Sequence, residues 1–183
     1  MMNQSAFEAI GKPIELKKGE LIFKQGDLDT SIYIVRSGLL KAYYLTLDGK
    51  ELVKSFIPEG EFIGSLIACS TNEACTFSLM CLEDCSILRA QFTDLQNASI
   101  NNPEFSNSVI NSLLHLAIKK ERREFEFLCL SASERYALFK QRNPELIERI
   151  TQNDIARYLG ITPVALSRIK RQKNRNGNSQ KFR

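Results

Sequence analysis

Positively charged side chains near the C-terminal end are the residues of this sequence best suited to binding chemistry. From Thr151 to Arg183, eight Lys or Arg residues stand against the single acid Asp154, a net charge of +7 for this segment. The whole chain carries +4, so the residues before Thr151 sum to −3. This asymmetry is typical of a protein that binds a polyanion, although a solvated basic tail has the same composition.

The same region contains the start and stop patterns of a first short helix. Thr151 is followed three residues later by Asp154, which resembles a capping box and predicts a helix that begins at Gln152. Gly160 is expected to end this helix, because the chain there must adopt a left-handed conformation that other residues resist. The expected helix therefore has about two turns.

A second helix follows after a short turn. Thr162 is expected to cap it, with Pro163 at its first position, where the missing N–H costs nothing. Apolar or small residues recur at helical offsets on both helices and are expected to pack against each other: Ile155, Ala156, Leu159, Leu166 and Ile169. This pattern predicts a DNA-binding helix-turn-helix. The alternative is an unrelated helical hairpin that has a basic surface.

The outward face of the second helix supplies the candidate DNA contacts. They are Thr162, Val164, Ser167, Arg168, Lys170, Arg171 and Lys173. Arg168 is the first candidate for a base contact, since arginine can bond guanine O6 and N7 together. Lys170, Arg171 and Lys173 are expected at phosphates, where Thr162 could also reach; such contacts fix affinity and register but not sequence.

Upstream, the sequence predicts a β module. Glycines recur at Gly19, Gly26, Gly38, Gly49 and Gly60, and runs of β-branched and aromatic residues lie between them. We expect strands over residues 31–35, 39–45, 52–57, 76–81 and 86–90, with one helical turn over 65–69. Short strands with frequent turns are typical of an antiparallel sandwich or barrel.

A long helix is expected from Pro103 to Leu130. Its apolar residues fall at helical spacing on the stripe Phe105, Val109, Leu113 and Leu116, with a second apolar flank of Ile110, Leu114 and Ile118. Apolar residues on two sides predict packing both on the β module and on a second copy of the chain. An ordinary core helix of one globule is the alternative.

Composition narrows the function class. The N-terminal residues lack the apolar run of a signal peptide, and no stretch has the length of a membrane span, so we expect a cytoplasmic protein without membrane contact. The five cysteines are expected to be reduced thiols. With His115 as the only histidine and no nucleophile motif, paired catalytic carboxylates or Walker loop, we expect no enzyme activity, catalytic residue, metal site or cofactor.

Across nearly its whole length the sequence resembles the Crp/Fnr family of regulators. The resemblance is carried by KKGELIFKQGD (residues 17–27), YIVRSGLLKAYY (33–44), DGKELV (48–53), PEGEFIGSL (58–66), SASERY (131–136) and the helix-turn-helix. It implies an α+β fold with an N-terminal antiparallel, jelly-roll-like β-roll as sensor domain (1–102), a long dimerisation helix (103–130) and a C-terminal winged-helix-like helix-turn-helix domain (131–183). It also implies a homodimer that binds a palindromic operator in double-stranded DNA and contacts RNA polymerase.

The sequence departs from the family at the residues that contact a cyclic nucleotide. The matching positions are Gly64, Ser65, Leu66, Cys75 and Thr76. Where nucleotide-binding members carry a glutamate for the ribose hydroxyl and an arginine for the phosphate, this chain has Ser65 and Cys75. Ser65 is too short and Cys75 has no positive charge, so we expect no control by cyclic AMP, and the effector is unknown.

The recognition helix departs as well. The best-known members of the family have Arg-Glu near the start of the recognition helix, whereas this chain has Pro163-Val164. We expect a different operator, with Val164 touching a thymine methyl.

Two alternatives to a DNA-binding regulator stay open. One is a redox module, because Cys69, Cys75, Cys81 and Cys85 lie close together in the sequence, although strand alternation places Cys75 and Cys81 in the core. The other is an interaction module whose β-roll docks a partner and whose DNA-binding surface is degenerate.

Overall fold

The computed structural model describes residues 7–179, and for Asn101 and residues 173–179 it describes the backbone alone. The chain divides into two compact units that meet in sequence between Lys120 and Glu121. The first unit contains every strand of the described chain. The described part of the second unit is helical throughout.

The first unit contains eight strands: β1 Lys12–Leu16, β2 Leu21–Phe23, β3 Ser31–Ser37, β4 Leu40–Leu45, β5 Glu51–Ile57, β6 Phe62–Ile63, β7 Ser78–Cys81 and β8 Cys85–Gln91. They form two four-stranded sheets, ordered β1-β8-β3-β6 and β2-β7-β4-β5, with antiparallel pairing throughout. The antiparallel β-roll expected from the sequence is confirmed.

The interior of the β-roll is filled by side chains from both sheets. Phe23 and Phe77 meet edge to face at 5.2 Å between ring centroids, and Tyr33 packs beside Phe23. Small residues such as Ala42 and Cys75 occupy the remaining positions of the same buried cluster. Alternation along each strand sends every second residue into this core.

Seven helices lie within residues 66–179: α1 Leu66–Thr71, α2 Phe92–Asn101, α3 Pro103–Cys129, α4 Ala132–Arg142, α5 Pro144–Arg149, α6 Gln152–Leu159 and α7 Pro163–Ser179. The long helix, α3, begins at the predicted proline and ends one residue before the predicted end. The sequence pattern missed the short strands β1, β2 and β6 and the helix α2, whose apolar residues are too few to show a clear period.

A second buried cluster covers the outer face of the β1-β8-β3-β6 sheet. Ile32, Ile34 and Leu88 of the sheet meet Leu95 of α2 and Phe105 of α3, while Phe7 and Ala90 join the same cluster. Phe105 is 1% exposed. The first part of the long helix therefore belongs to the folded β unit, and whether the helix also acts as a separate linker stays a prediction.

The second unit contains the end of α3 and the four helices after it. Ser131 caps α4 in a complete capping box with Glu134: the Glu134 N–H donates to the serine oxygen, and the Ser131 N–H donates to the Glu134 carboxylate. The pKa of Glu134 is lowered by these hydrogen bonds with Ser131. Between α4 and the helix-turn-helix lies the short helix α5, and no strand is assigned in residues 121–179. No wing therefore lies within residues 121–179.

We expect Phe105→Ala to lower the free energy of unfolding by about 3 to 5 kcal/mol, because it removes an aromatic ring from the second buried cluster and leaves a cavity. Urea unfolding followed by circular dichroism measures the change. Ile100→Ala, on the exposed side of α2, is the matched control and should change the free energy of unfolding by less than about 0.5 kcal/mol. Equal effects of the two substitutions would contradict the packing described here.

Candidate DNA-binding surface and effector region

The first helix of the helix-turn-helix begins and ends where the sequence predicts, and the second begins at the predicted proline. The Thr151 side chain accepts the Asp154 N–H at 3.1 Å, and the Thr162 side chain accepts the Ala165 N–H at 3.2 Å. Gly160 ends α6 at φ +68°, in the left-handed region. This backbone conformation favours glycine, and a Cβ on Gly160 would in addition lie 2.9 Å from the ring of Phe127, which would have to shift.

The inner face of the helix-turn-helix is buried as predicted. Ala156 is fully buried, and Ile155, Leu159 and Leu166 are nearly so. Ile169 is half-buried. The small Ala156 side chain lets α6 and α7 approach closely at their contact, which is why a larger residue would not fit this position.

The opposite face of α7 is exposed over its first two turns. Thr162, Val164, Ser167, Arg168 and Arg171 are all exposed. The structure thus brings five of the seven predicted DNA contacts onto one open surface. The remaining two are Lys170 and Lys173.

Lys170 differs from the other predicted contacts. It is half-buried, and its Nζ donates to Oε1 of Gln152 at 2.8 Å, which joins the recognition helix to the start of α6. The Lys173 side chain lies outside the described residues. Gln152 was not singled out from the sequence, because its partner is eighteen positions away and no local pattern connects the two.

Two further residues beside the helix-turn-helix also escaped the sequence analysis. Arg123 and Arg135 donate to backbone carbonyls at the end of α6. The sequence motif around Arg135 was noted as part of a family resemblance, but nothing local in it indicates a bond to a residue more than twenty positions away.

Of the five residues that match the family's nucleotide pocket, three are packed within this chain. Ser65 is buried and caps α1, where its oxygen accepts the Ala68 N–H at 3.4 Å. Gly64 is packed so tightly that a Cβ would lie 2.7 Å from the Ser31 carbonyl oxygen. Cys75 is buried with its Sγ 3.7 Å from the carbonyl oxygen of Asp29. Leu66 and Thr76 are exposed at the surface.

A polar network lies beside Cys75. The Tyr33 hydroxyl donates to the Asp29 carboxylate at 2.9 Å, and Arg89 Nε donates to the Ser31 hydroxyl at 2.9 Å. Arg89 also lies within ion-pair distance of Asp29 at 3.8 Å. Burial raises the pKa of the Tyr33 hydroxyl, and the Asp29 charge raises it further. Tyr33 therefore stays a neutral hydrogen-bond donor at any physiological pH.

Three of the four clustered cysteines, Cys75, Cys81 and Cys85, are buried, and Cys69 is half-buried. Burial raises the pKa of Cys69 to about 11 and that of Cys81 to about 12, and it raises the pKa of Cys85 as well. Cys75 is also buried, whereas Cys129 is exposed on the long helix. No group of three or more potential metal ligands occurs among the residues that the structure describes. Neutral, buried thiols are poor nucleophiles and poor ligands.

The long helix presents two different faces. Val109 packs on the β-roll like Phe105, and Leu116 lines a cleft of about 160 Å³ beside the β5–β6 turn. Lys119 also lines the cleft, and its Nζ donates to both carboxylate oxygens of Glu61 at 2.9 and 2.6 Å. Of the predicted dimer stripe, Leu113 is exposed. The flanking apolar residues Ile110, Leu114 and Ile118 are exposed beside it.

In the described part of the chain, no helix is long and apolar enough to span a lipid bilayer.

Comparison with known proteins supports this architecture. The family model for the cyclic nucleotide-binding domain matches residues 13–102. The transcriptional activator Anr of Pseudomonas protegens is 30% identical over 172 residues, covering 87% of this chain and 68% of Anr. Anr of Pseudomonas aeruginosa is 30% identical over 180 residues, covering 91% and 71%.

Solved structures show the same fold. FixK2 of Bradyrhizobium japonicum aligns with a TM-score of 0.75 at 19% identity, over 92% of this chain and 86% of FixK2. The c-di-GMP-responsive regulator CLP of Xanthomonas campestris aligns with a TM-score of 0.79 at 18% identity, over 95% and 91%.

An antiparallel β-roll, a long helix and a helix-turn-helix together define a DNA-binding transcription regulator with a cyclic nucleotide-binding-like domain. The extent of identity with the Anr proteins makes the assignment more specific. The chain belongs to the Crp/Fnr family of transcriptional regulators.

We expect about one thiol per native chain, that of Cys129, to react quickly with dithionitrobenzoate at pH 8. With a pKa of about 11, roughly one Cys69 in a thousand is thiolate at this pH, and the other three cysteines are buried. Absorbance at the thionitrobenzoate band counts the fast thiols, and Cys129→Ser should abolish the fast phase. A fast phase that persists in this variant would support a reactive cysteine in the β-roll.

Proposed function

We propose that this protein binds a palindromic operator in double-stranded DNA as a homodimer, with α7 in the major groove. The observation that carries the proposal is the open face of α7, which combines the exposed Arg168 and Arg171 with the smaller Val164 and Ser167. Its opposite face carries the buried Leu166 and the half-buried Ile169, and α7 packs against α6. The exposed face is separate from this packing, and its basic residues suit a polyanion.

Contacts on this face divide by their position along α7. Val164, Ser167 and Arg168 lie in the first two turns, which enter a major groove most deeply in this motif. Arg168 can bond both acceptors of a guanine, and Val164 can meet a thymine methyl. Arg171 lies a turn further on and is placed for a phosphate, as is the capping residue Thr162 at the helix start. Lys170 donates a hydrogen bond to Gln152. Its ammonium group would bind a phosphate only by breaking this hydrogen bond or by using another of its N–H groups.

Arg168→Ala is expected to cost about 1 to 3 kcal/mol of binding and to relax sequence preference at one position of each half-site. Selection from a random DNA pool identifies the operator, and fluorescence anisotropy then measures affinity for it and for single-base variants. Arg171→Ala is the matched comparison: it should weaken binding to all sequences alike and reduce the slope of log affinity against log salt by about one. Unchanged discrimination in Arg168→Ala would show that another residue reads the base.

The second copy of the chain is expected on the outward face of the long helix. Ile110, Leu114 and Ile118 are one helical turn apart, with Leu113 beside them, and all four are exposed. A contiguous apolar stripe of this kind is costly to leave in water and is typical of an interface between identical helices. Phe105, Val109 and Leu116 contact the chain's own β unit, so in this proposal Leu113 is the member of the predicted stripe that meets the partner.

Leu114→Glu is expected to convert the dimer to a monomer, because it places charges opposite each other at the centre of the helix pair. Sedimentation velocity measures the association state, and affinity for the full operator should fall about a hundredfold, as the two half-sites are no longer bound together. Leu47→Glu introduces the same charge at an exposed hairpin residue away from the helix and serves as control. A variant that remains dimeric would place the interface elsewhere.

We also propose that cyclic AMP does not control this regulator. Ser65 and Cys75 are engaged with the chain itself, and the β-roll interior is occupied by aromatic and aliphatic side chains. The clustered cysteines offer little support for redox control, since three of the four are buried and the half-buried Cys69 has a raised pKa, as do Cys81 and Cys85. Contact with RNA polymerase, and action in the cytoplasm, follow from the proposed role in transcription.

A further inference from the structure

Arg135 joins the ends of two helices in the second unit. Its Nη1 donates to the carbonyl of Leu130, just beyond the end of α3, at 2.7 Å, and its Nη2 donates to the carbonyl of Leu159, at the end of α6, at 3.1 Å. Carbonyls in the last turn of a helix have no partner within the helix and carry the negative end of its dipole. One guanidinium thus satisfies an orphan carbonyl at each helix end.

Arg123, which lies on α3, makes a similar connection to the residue before Leu159. Its Nη2 donates to the carbonyl of Tyr158 at 3.1 Å, and its guanidinium lies 4.0 Å from the centroid of the Tyr158 ring. The guanidinium groups of Arg123 and Arg135 each lie 4.7 Å from the centroid of the Phe127 ring. Both arginines are therefore held by an aromatic ring of α3 as well as by α6.

Phe127 completes this group of contacts. Its ring lies against Gly160, the residue that ends α6, so closely that a Cβ there would require the ring to move. We name Arg123, Arg135, Phe127 and their contacts at Tyr158–Gly160 the arginine clamp. The clamp fastens the C-terminal end of the first helix of the helix-turn-helix to the last turns of α3.

The clamp residues are separate from the surface assigned to DNA. The guanidinium groups bond the carbonyls of Leu130, Tyr158 and Leu159, while the exposed face assigned to DNA belongs to α7. A guanidinium fork that bonds two carbonyls at fixed positions also determines their relative geometry, which a lysine ammonium cannot reproduce. The clamp is thus built to set an orientation and not only to add stability.

We propose that Arg123 and Arg135 are positioning residues that set the spacing between operator half-sites. The inference rests on the proposed function, in which two copies pair through α3 and each places α7 in the major groove. The clamp fixes the helix-turn-helix relative to the segment Glu121–Cys129, which continues the helix that joins the copies. It therefore determines the distance between the two recognition helices of the dimer. The spacing between operator half-sites must match this distance.

The test uses the full chain on operators whose half-sites are moved apart or together by single base pairs, and on one isolated half-site. The parent is expected to prefer one spacing. In Arg135→Lys the ratio between the best and the neighbouring spacing should fall about five-fold or more, while affinity for the isolated half-site and the salt slope change less than about two-fold. Arg122→Lys, an exposed arginine adjacent to Arg123, is the control and should retain the parent's ratio.

Circular dichroism and thermal unfolding confirm that each variant is folded. Arg123→Lys provides a second test with the same expected result if Arg135→Lys does not fold. An unchanged spacing ratio in a folded variant, or an equal loss on every operator and on the half-site, would overturn the inference, as would loss of folding in both lysine variants. A parent that binds no DNA sequence specifically would instead refute the proposed function.

Discussion

The long helix α3 carries apolar side chains on two sides, and a single neighbour cannot cover both. Phe105 and Val109 lie on the side that the β-roll buries, and this contact is what makes the first part of the helix an integral part of that unit. The other side, marked by Leu114 and Ile118, remains open. The rest of the structure depends on this division of the helix into a buried side and an open side. The last turns of the same helix contact the helix-turn-helix.

The helix-turn-helix could be predicted nearly residue by residue because its determinants are local. Thr151 and Thr162 cap helices that begin one residue later, and Gly160 takes the left-handed conformation that its type allows. Such interactions span three or four positions and leave a clear pattern in the sequence. The β-roll was predictable at a coarser level: glycine punctuation located its main strands, but β6, with only two residues, depends on pairing with β3 and has no pattern of its own.

Contacts between distant positions could not be predicted in this way. Phe105 and Leu113 fall on the same helical stripe in the sequence, yet one is buried against the β-roll and the other is exposed. The difference arises from where the sheet lies, which periodicity does not specify. The same holds for Arg135, whose two carbonyl partners are brought together only by the packing of α6 on the end of α3. Side-chain type alone gave no indication that this arginine faces inward.

The outward face of α3 also has a consequence for how steeply such a regulator would respond. If the copies pair through that face as proposed, and the chain is mostly monomeric at its working concentration, occupancy of an unsaturated operator rises with the square of the protein concentration and not in proportion to it. Small changes in synthesis or degradation of the chain would then produce larger changes in occupancy. Control of the amount of protein could in this way supply a sensitivity that does not require a ligand in the β-roll.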